Sequence, residues 1–335
     1  MPATIHDVAK RAGVGIGTVS SVLNNSRPVL EATRQKVLAA IAELDFIPNP
    51  VGRRLSMGKT QTVAVVMPFF TGPSQGERFR GVMSVIAGSD YDINLFSFET
   101  VPQRDKILQK VLHHGQVDGL LIFSINPTET DLRRIYRENL PTVLVEVDNP
   151  HLSRIVRDDV TAARRATQYL IDLGHRKIGY LGDYLDDPFG FPFSRHRYLG
   201  YCQALETAGI PIDPAYQRQG GYSREEGRQM AIDLLSLPDP PTAIFAYSDV
   251  HALGIIEAAG ELKLDVPGDL SIIGYDDIAP ADYVRLTTIR QQLFESGWQG
   301  INLLLELMAR PDTPPIKLEL PTELVVRQTT APPKR

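Results

Sequence analysis

Residues 4–60, TIHDVAKRAGVGIGTVSSVLNNSRPVLEATRQKVLAAIAELDFIPNPVGRRLSMGKT, decide the reading of this chain. Thr4 is placed to cap a helix running from Ile5 to about Ala12, with Asp7 three residues on to complete a capping box. Ile5, Val8, Ala9 and Ala12 share one face of that helix. Gly13-Val14-Gly15 stops it, because glycine accepts the left-handed backbone of a tight turn. A second apolar set, Ile16, Val19, Val22 and Leu23, begins at once. Two short helices meeting at a glycine turn make a helix-turn-helix, whose second helix lies in the major groove of DNA. From about Glu31 to Leu44, the residues Val37, Leu38, Ile41 and Leu44 recur at helical spacing and close a small core under the pair.

Charge agrees with this reading. Residues 1–60 hold Lys10, Arg11, Arg27, Arg34, Lys36, Arg53, Arg54 and Lys59 against Asp7, Glu31, Glu43 and Asp45. That is a net +4 in a chain of net −5, so the remainder carries −9. A cationic head gains salt-dependent affinity for phosphates through counterion release, while an acidic body avoids nucleic acid.

Outward from the head, about 275 residues alternate short apolar runs with helical stretches such as Arg104 to His113. Thr62 to Met67, Asp92 to Phe98, Gly119 to Ser124 and Thr142 to Val147 form one series of strands. Lys177 to Gly182, Thr242 to Tyr247, Leu270 to Tyr275 and a last strand near Leu324 to Val326 form another. Continuous apolar strands spaced by helices predict parallel sheets covered on both faces. Two series predict an α/β core of two Rossmann-like lobes, with a ligand in the crevice at the carboxyl ends of the strands.

Several functions are excluded by spacing. Gly13 to Gly17 is preceded by a helix, so it is no dinucleotide loop. His113 and His114 are adjacent on a helix and point apart, which excludes joint metal binding. Neither a G-x-S-x-G elbow nor a phosphate loop occurs, and no catalytic set, metal site or cofactor is expected. Single Cys202, in GYCQAL, excludes an intrachain disulfide and reads as a small core residue. No run reaches the roughly 18 apolar residues of a membrane helix, and a capped polar helix replaces a signal peptide, so a soluble cytoplasmic protein is expected. The end, VVRQTTAPPKR, shows no leucine heptads for a further coil, and Pro332 and Pro333 read as a frayed terminus.

The first helix with its GV turn, the TVS-x-VLN helix, the TR-x-x-V third helix and the F-I-P-N-x-V-x-R-x-L linker resemble the LacI/GalR transcriptional regulators, and the resemblance covers essentially the full length. It implies a helix-turn-helix head over residues 1–46 and a hinge helix over 47–60. It also implies a periplasmic-binding-protein-type core with a first lobe over 61–160 and about 292–321, and a second over 161–291 and about 322–331. By the resemblance, Thr4 belongs to the DNA-facing set, Ile16 and Gly17 stand where the family reads base edges, and Thr18, Ser20 and Asn24 lie nearer the backbone. Ser21 replaces the family's usual arginine, exchanging a guanine-reading fork for a short hydroxyl, and Gly17 has no side chain to read with. Gly15 and Leu30 replace helix-capping serines. Asn49, Arg53 and Leu55 fall in the hinge, where the family folds paired segments on the operator and drives an apolar wedge, here Leu55, into the minor groove. The partners implied are double-stranded DNA with a pseudo-palindromic site, a second copy of the chain, and a small effector.

Effector contacts implied are Asp276 in GYDD, Arg197 in SRHRYLGY, Tyr222, Ser248 in place of the usual asparagine, and Glu146 in the first lobe. An aspartate accepting vicinal hydroxyls and an arginine donating to sugar oxygens suit a carbohydrate. Phe69, Phe70 and the aromatic stretch Tyr184 to Phe193 suggest stacking faces, and an aromatic cleft with few charges favours a neutral sugar over a phosphate. Other readings stand beside these. Asp276 could cap the following helix, Arg197 could pair with Asp183 or Asp187, Tyr222 could be core, and the aromatic stretch could be a packed plug. Besides an effector-controlled repressor, two alternatives remain: a solute receptor that no longer reads DNA, and an enzyme acting on the cleft ligand.

Overall fold

The structure, a computed structural model, describes residues 3–24, 27–46, 60–113 and 116–334. Asn49, Arg53 and Leu55 lie outside the described residues, as do His114 and the side chain of Asn24. Two compact units emerge, Met1–Gln61 and Thr62–Arg335.

The first unit holds α1 (Ile5–Ala12), α2 (Ile16–Asn24) and α3 (Glu31–Glu43). The Asp7 carboxylate accepts from the Thr4 N–H at 2.9 Å and from its hydroxyl at 2.7 Å, closing the expected box. Gly13 turns at φ 68°, and the Val14 N–H then reaches the Ala9 carbonyl at 3.0 Å. Val8, Ala9, Val19, Val22, Val37 and Ala40 are buried together. Leu30 precedes α3 without any side-chain cap, and it is 81% exposed.

The second unit opens with β1 (Thr62–Pro68), α4 (Pro73–Ile86), β2 (Asp92–Phe98), α5 (Val101–Val111), β3 (Gly119–Phe123), α6 (Glu129–Arg137), β4 (Thr142–Val145) and β5 (Ser153–Val156). Next come α7 (Asp159–Asp172), β6 (Ile178–Asp183), α8 (Pro192–Thr207), β7 (Gln217–Gly220), α9 (Arg224–Leu235), β8 (Ala243–Ala246) and α10 (Asp249–Glu261). β9 (Ser271–Asp276), α11 (Ala279–Tyr283), β10 (Thr287–Arg290), α12 (Leu293–Ala309), β11 (Lys317–Glu319) and β12 (Glu323–Val325) complete it. One sheet has the order β11-β5-β4-β3-β1-β2 and the other β12-β10-β9-β8-β6-β7. Pairing is parallel throughout except between β10 and β12. Strand β1 is buried along all its seven residues, as a central strand with helices on both faces must be.

The chain passes between the sheets at 157–158, 291–292 and 320–322. α7 packs its alanines against the second sheet, whereas α12 returns to the first. α12 meets α4 backbone to backbone, since a Cβ on Gly297 would lie 1.8 Å from the Arg78 carbonyl oxygen. Cys202 is buried in the core beside Tyr201. The terminus is not frayed as expected. Thr329 exchanges hydrogen bonds with Ile272, and the Ala331 carbonyl lies 2.9 Å from His175 Nε2.

Candidate functional site

In the head, the start of α2 is its exposed edge. Ile16 is 41% exposed and Gly17 is exposed beside it, while Val19 and Val22 face the core. Thr18, Ser20 and Ser21 are half-buried on the same helix. Thr4 is exposed at the start of α1, where its side chain is committed to Asp7. This edge offers a β-branched apolar group and small hydroxyls, a surface suited to thymine methyl contact rather than to forked readout of guanine.

In the core, the ends of strands from both sheets surround a cavity with about 550 Å³ of space among its lining atoms, part of it open to solvent. Phe69, Ser74, Gln75, Arg78 and Glu146 line it from the first sheet's side, and Asp183, Phe193, Arg197, Tyr222, Tyr247 and Asp276 from the second's. Phe69, Glu146 and Asp276 turn at φ 44°, 76° and 124°. Left-handed backbone costs a residue with a Cβ on the order of 1–3 kcal/mol, and the surrounding packing must hold it in place.

Buried charges form a closed circuit at this cavity. Arg78 Nη2 donates to Glu146 at 2.5 Å and to Gln291 Oε1 at 2.8 Å. The Gln291 amide donates to Asp276. Asp276 lies 3.7 Å from Arg197 Nη1, and Arg197 Nε donates to Asp159 at 3.3 Å. Arg157 closes the circuit, donating to Asp159 at 3.1 Å and to Glu146 at 2.8 Å. Each charged side chain of the circuit is at most 7% exposed, and three arginines balance three carboxylates.

Local bonds support the circuit. The Tyr275 hydroxyl donates to Asp159 at 2.6 Å, Ser124 donates to Glu146 at 2.6 Å, and the Arg197 guanidinium lies 3.8 Å over the Tyr275 ring. Burial opposes ionisation of Asp159, yet Arg157 and Arg197 outweigh it and hold the carboxyl down at about 2. Burial likewise opposes Glu146, and Arg78 with Arg157 keeps it below the usual range. Asp276 is pushed up by burial, with Arg197 pulling against it.

Several expected residues come together and others do not. Phe69, Glu146, Arg197, Tyr222 and Asp276 all line the cavity. Phe70 turns away and packs edge-on against Phe79 at 5.2 Å. Ser248 caps α10 and bonds His251 Nδ1 at 2.9 Å, fully buried behind Tyr222 and apart from the cavity wall. Asp276 caps nothing, for α11 starts after Ile278 without a side-chain cap. Arg197 pairs with Asp159 and Asp276 rather than with Asp183 or Asp187. The aromatic stretch serves as both plug and face: Phe189, Phe191 and Phe193 stack at 5.1 Å spacings, and the last two also line the cavity.

The cavity is therefore rich in charge, contrary to the expectation of few charges; the circuit's charge is internally compensated, and Asp183 stands outside it. Gln75, Arg78, Arg157, Asp159, Asp183, Tyr247 and Gln291 were missed as cavity or circuit residues. For Arg78 a signal existed, since it shares with Val82 and Ile86 the buried, four-residue stripe of α4.

Comparison with known proteins follows the same division. Residues 4–49 match the model described as bacterial regulatory proteins, lacI family, and residues 167–330 the one described as periplasmic binding protein-like domain. Over 334 residues the chain is 34% identical to the HTH-type transcriptional repressor CytR of Escherichia coli K12, covering 98% of this chain and 96% of that protein. The chain belongs to the LacI family of bacterial regulatory proteins. As a LacI-family member it is a DNA-binding transcriptional regulator, with the helix-turn-helix head and two-sheet α/β core expected from the sequence. The lac repressor dimer bound to operator and the anti-inducer ONPF superposes with a TM-score of 0.84 at 28% identity, covering 99% of this chain and 100% of that one. A complex of the regulator CelR with cellobiose gives 0.71 at 29% identity, covering 98% and 99%. Among the described residues of this LacI-family chain, no helix is long and apolar enough to cross a membrane.

Proposed function

We propose that this protein is a homodimeric repressor that binds a pseudo-palindromic operator in the cytoplasm and responds to a carbohydrate-like effector bound at the cavity, without catalysing a reaction. The observation carrying this reading is the cavity itself. Carboxylate Asp276 and guanidinium Arg197 stand at one wall beside the aromatic faces of Phe191 and Phe193. Hydroxyl-bearing rings combine apolar faces with edges that donate and accept, so they match such walls. The CelR–cellobiose and lac repressor–operator complexes support the same pairing of roles. In the head we assign base reading to Ile16, Gly17 and Ser21, backbone contacts to Thr18, Ser20 and Asn24, further DNA contacts to Thr4, Asn49 and Arg53, and the minor-groove wedge to Leu55. Effector binding then shifts operator affinity only by its differential affinity for two conformations, typically worth about 1–3 kcal/mol.

The test is selection of bound duplexes from a random DNA pool by the full-length protein at fixed moderate salt. We expect enrichment of a two-fold symmetric site. Binding to all duplexes alike, with or without a metabolite extract, would instead favour a receptor that has lost its DNA code.

A further inference from the structure

Two polar atoms on the cavity wall have no hydrogen-bond partner although both are closed off from solvent: Gln75 Oε1 and Arg78 Nε. They belong to residues three apart on α4, hence to one face of that helix. Arg78 is only 2% exposed, and its other nitrogens are engaged. Nη1 donates to the Ser74 carbonyl at 3.3 Å, and Nη2 to Glu146 and Gln291. The guanidinium is thus pinned on one side, and its Nε–H is a fixed donor on the helix face that also carries the Gln75 acceptor. Buried polar atoms in that state are the exception in folded proteins, and a ligand is one of the partners that resolves them.

We propose that Gln75 and Arg78 are the specificity-determining contact of the first lobe, reading an uncharged hydroxyl of the effector that accepts from Arg78 Nε and donates to Gln75 Oε1. This rests on the effector reading above and adds the class of group recognised and the residues that recognise it. A hydroxyl is both donor and acceptor, so it supplies what each of the two atoms lacks. A phosphate or carboxylate accepts only. It would leave Gln75 Oε1 facing an anion and would add negative charge to a wall whose arginines are already balanced. An ammonium group donates only and would oppose Arg78. Because Arg78 also holds Glu146 and Gln291, a hydroxyl bound at Nε acts on the circuit that runs through two of the three crossover segments, 157–158 and 291–292.

A bacterial metabolite extract split on an anion exchanger into neutral and anionic pools supplies the probes, with thermal unfolding of the full-length protein as readout. Each variant is compared with its own ligand-free melt. The neutral pool should raise the melting temperature of the unaltered protein, and Arg78→Met and Gln75→Leu should each need at least tenfold more of that pool for the same shift. Should Arg78→Met fail to fold, Gln75→Leu decides alone. An unchanged response of Gln75→Leu to the neutral pool, or a shift produced by the anionic pool, overturns the proposal while leaving effector binding standing. No shift from either pool overturns effector binding itself.

Discussion

Asp183 lines the cavity with Tyr222, His251 lies against the Tyr222 ring at 5.7 Å, and burial shifts the two groups in opposite senses. Asp183 ends β6 on the cavity wall and accepts the Tyr184 N–H at 2.8 Å. Burial, and then the charge of Asp187, pushes its carboxyl up to about 6. His251 is fully buried between Ser248 and the Gly221 carbonyl, and burial pushes its imidazole down to about 4. For His251 the unfolded chain holds the extra proton between its ordinary 6.5 and about 4, so stability falls as the pH drops through that window. For Asp183 the folded protein holds the extra proton between 3.8 and about 6, so stability falls as the pH rises through it. The two slopes oppose each other where the windows overlap. Melts taken from pH 4.5 to 7 should therefore show, relative to the unaltered protein, stability that rises on acidification for His251→Gln and falls on acidification for Asp183→Asn. Parallel curves for all three proteins would show that neither group is perturbed as described.

At the scale of elements, the contact of α4 with α12 depends on two glycines. A Cβ on Gly81 would sit 2.1 Å from the Phe294 carbonyl oxygen, as one on Gly297 would from Arg78 at 1.8 Å. Backbone atoms cannot swing aside as a side-chain tip can, so Gly297→Ala should cost about 3 kcal/mol, the upper end of overpacking. Gly76 lies on the same α4 with nothing within 4 Å of its added Cβ, and Gly76→Ala should gain up to about 1 kcal/mol from helix propensity. Urea unfolding of the two variants separates the explanations, since equal effects would mean that crossing distance is irrelevant. The elements themselves were unevenly legible. The apolar runs of β1, β3, β4, β8 and β9 announce buried strands, and the head's caps and glycine turn announce its helices. Ser153–Val156, Gln217–Gly220, Thr287–Arg290 and Lys317–Glu319 are three or four residues long with mixed polarity, so no periodicity distinguishes them from loops. That gap hid part of the site. Arg157 follows β5 and Gln291 follows β10, and a search confined to the ends of recognisable strands passes over both. Glu146, Arg197 and Asp276 were legible because they end readable strands or open a readable helix. What they bond to was not, because pairing across the cavity is a property of the tertiary fold.

For the whole core, the circuit is the element that joins the lobes electrostatically. Arg157 and Gln291 lie on crossover segments, Arg78 and Glu146 belong to the first sheet's side, and Asp159, Arg197 and Asp276 to the second's. With three arginines against three carboxylates, the circuit is balanced within the protein itself, so a neutral effector meets no charge deficit there. Removing one member should be far more harmful than removing a neutral pair. Asp159→Leu leaves three buried guanidiniums against two carboxylates, and breaking a buried pair in this way costs roughly 3–5 kcal/mol. Adding Arg157→Met restores the balance, because Glu146 keeps Arg78 and Asp276 keeps Arg197. The double variant should thus unfold in urea at a higher concentration than Asp159→Leu alone, even though it carries one more substitution. Such a rescue is the signature of coupling between neighbours in one network. Additive losses would mean that the arginines and carboxylates act as separate contacts, and that the lobes are joined by their covalent crossovers and aromatic packing alone.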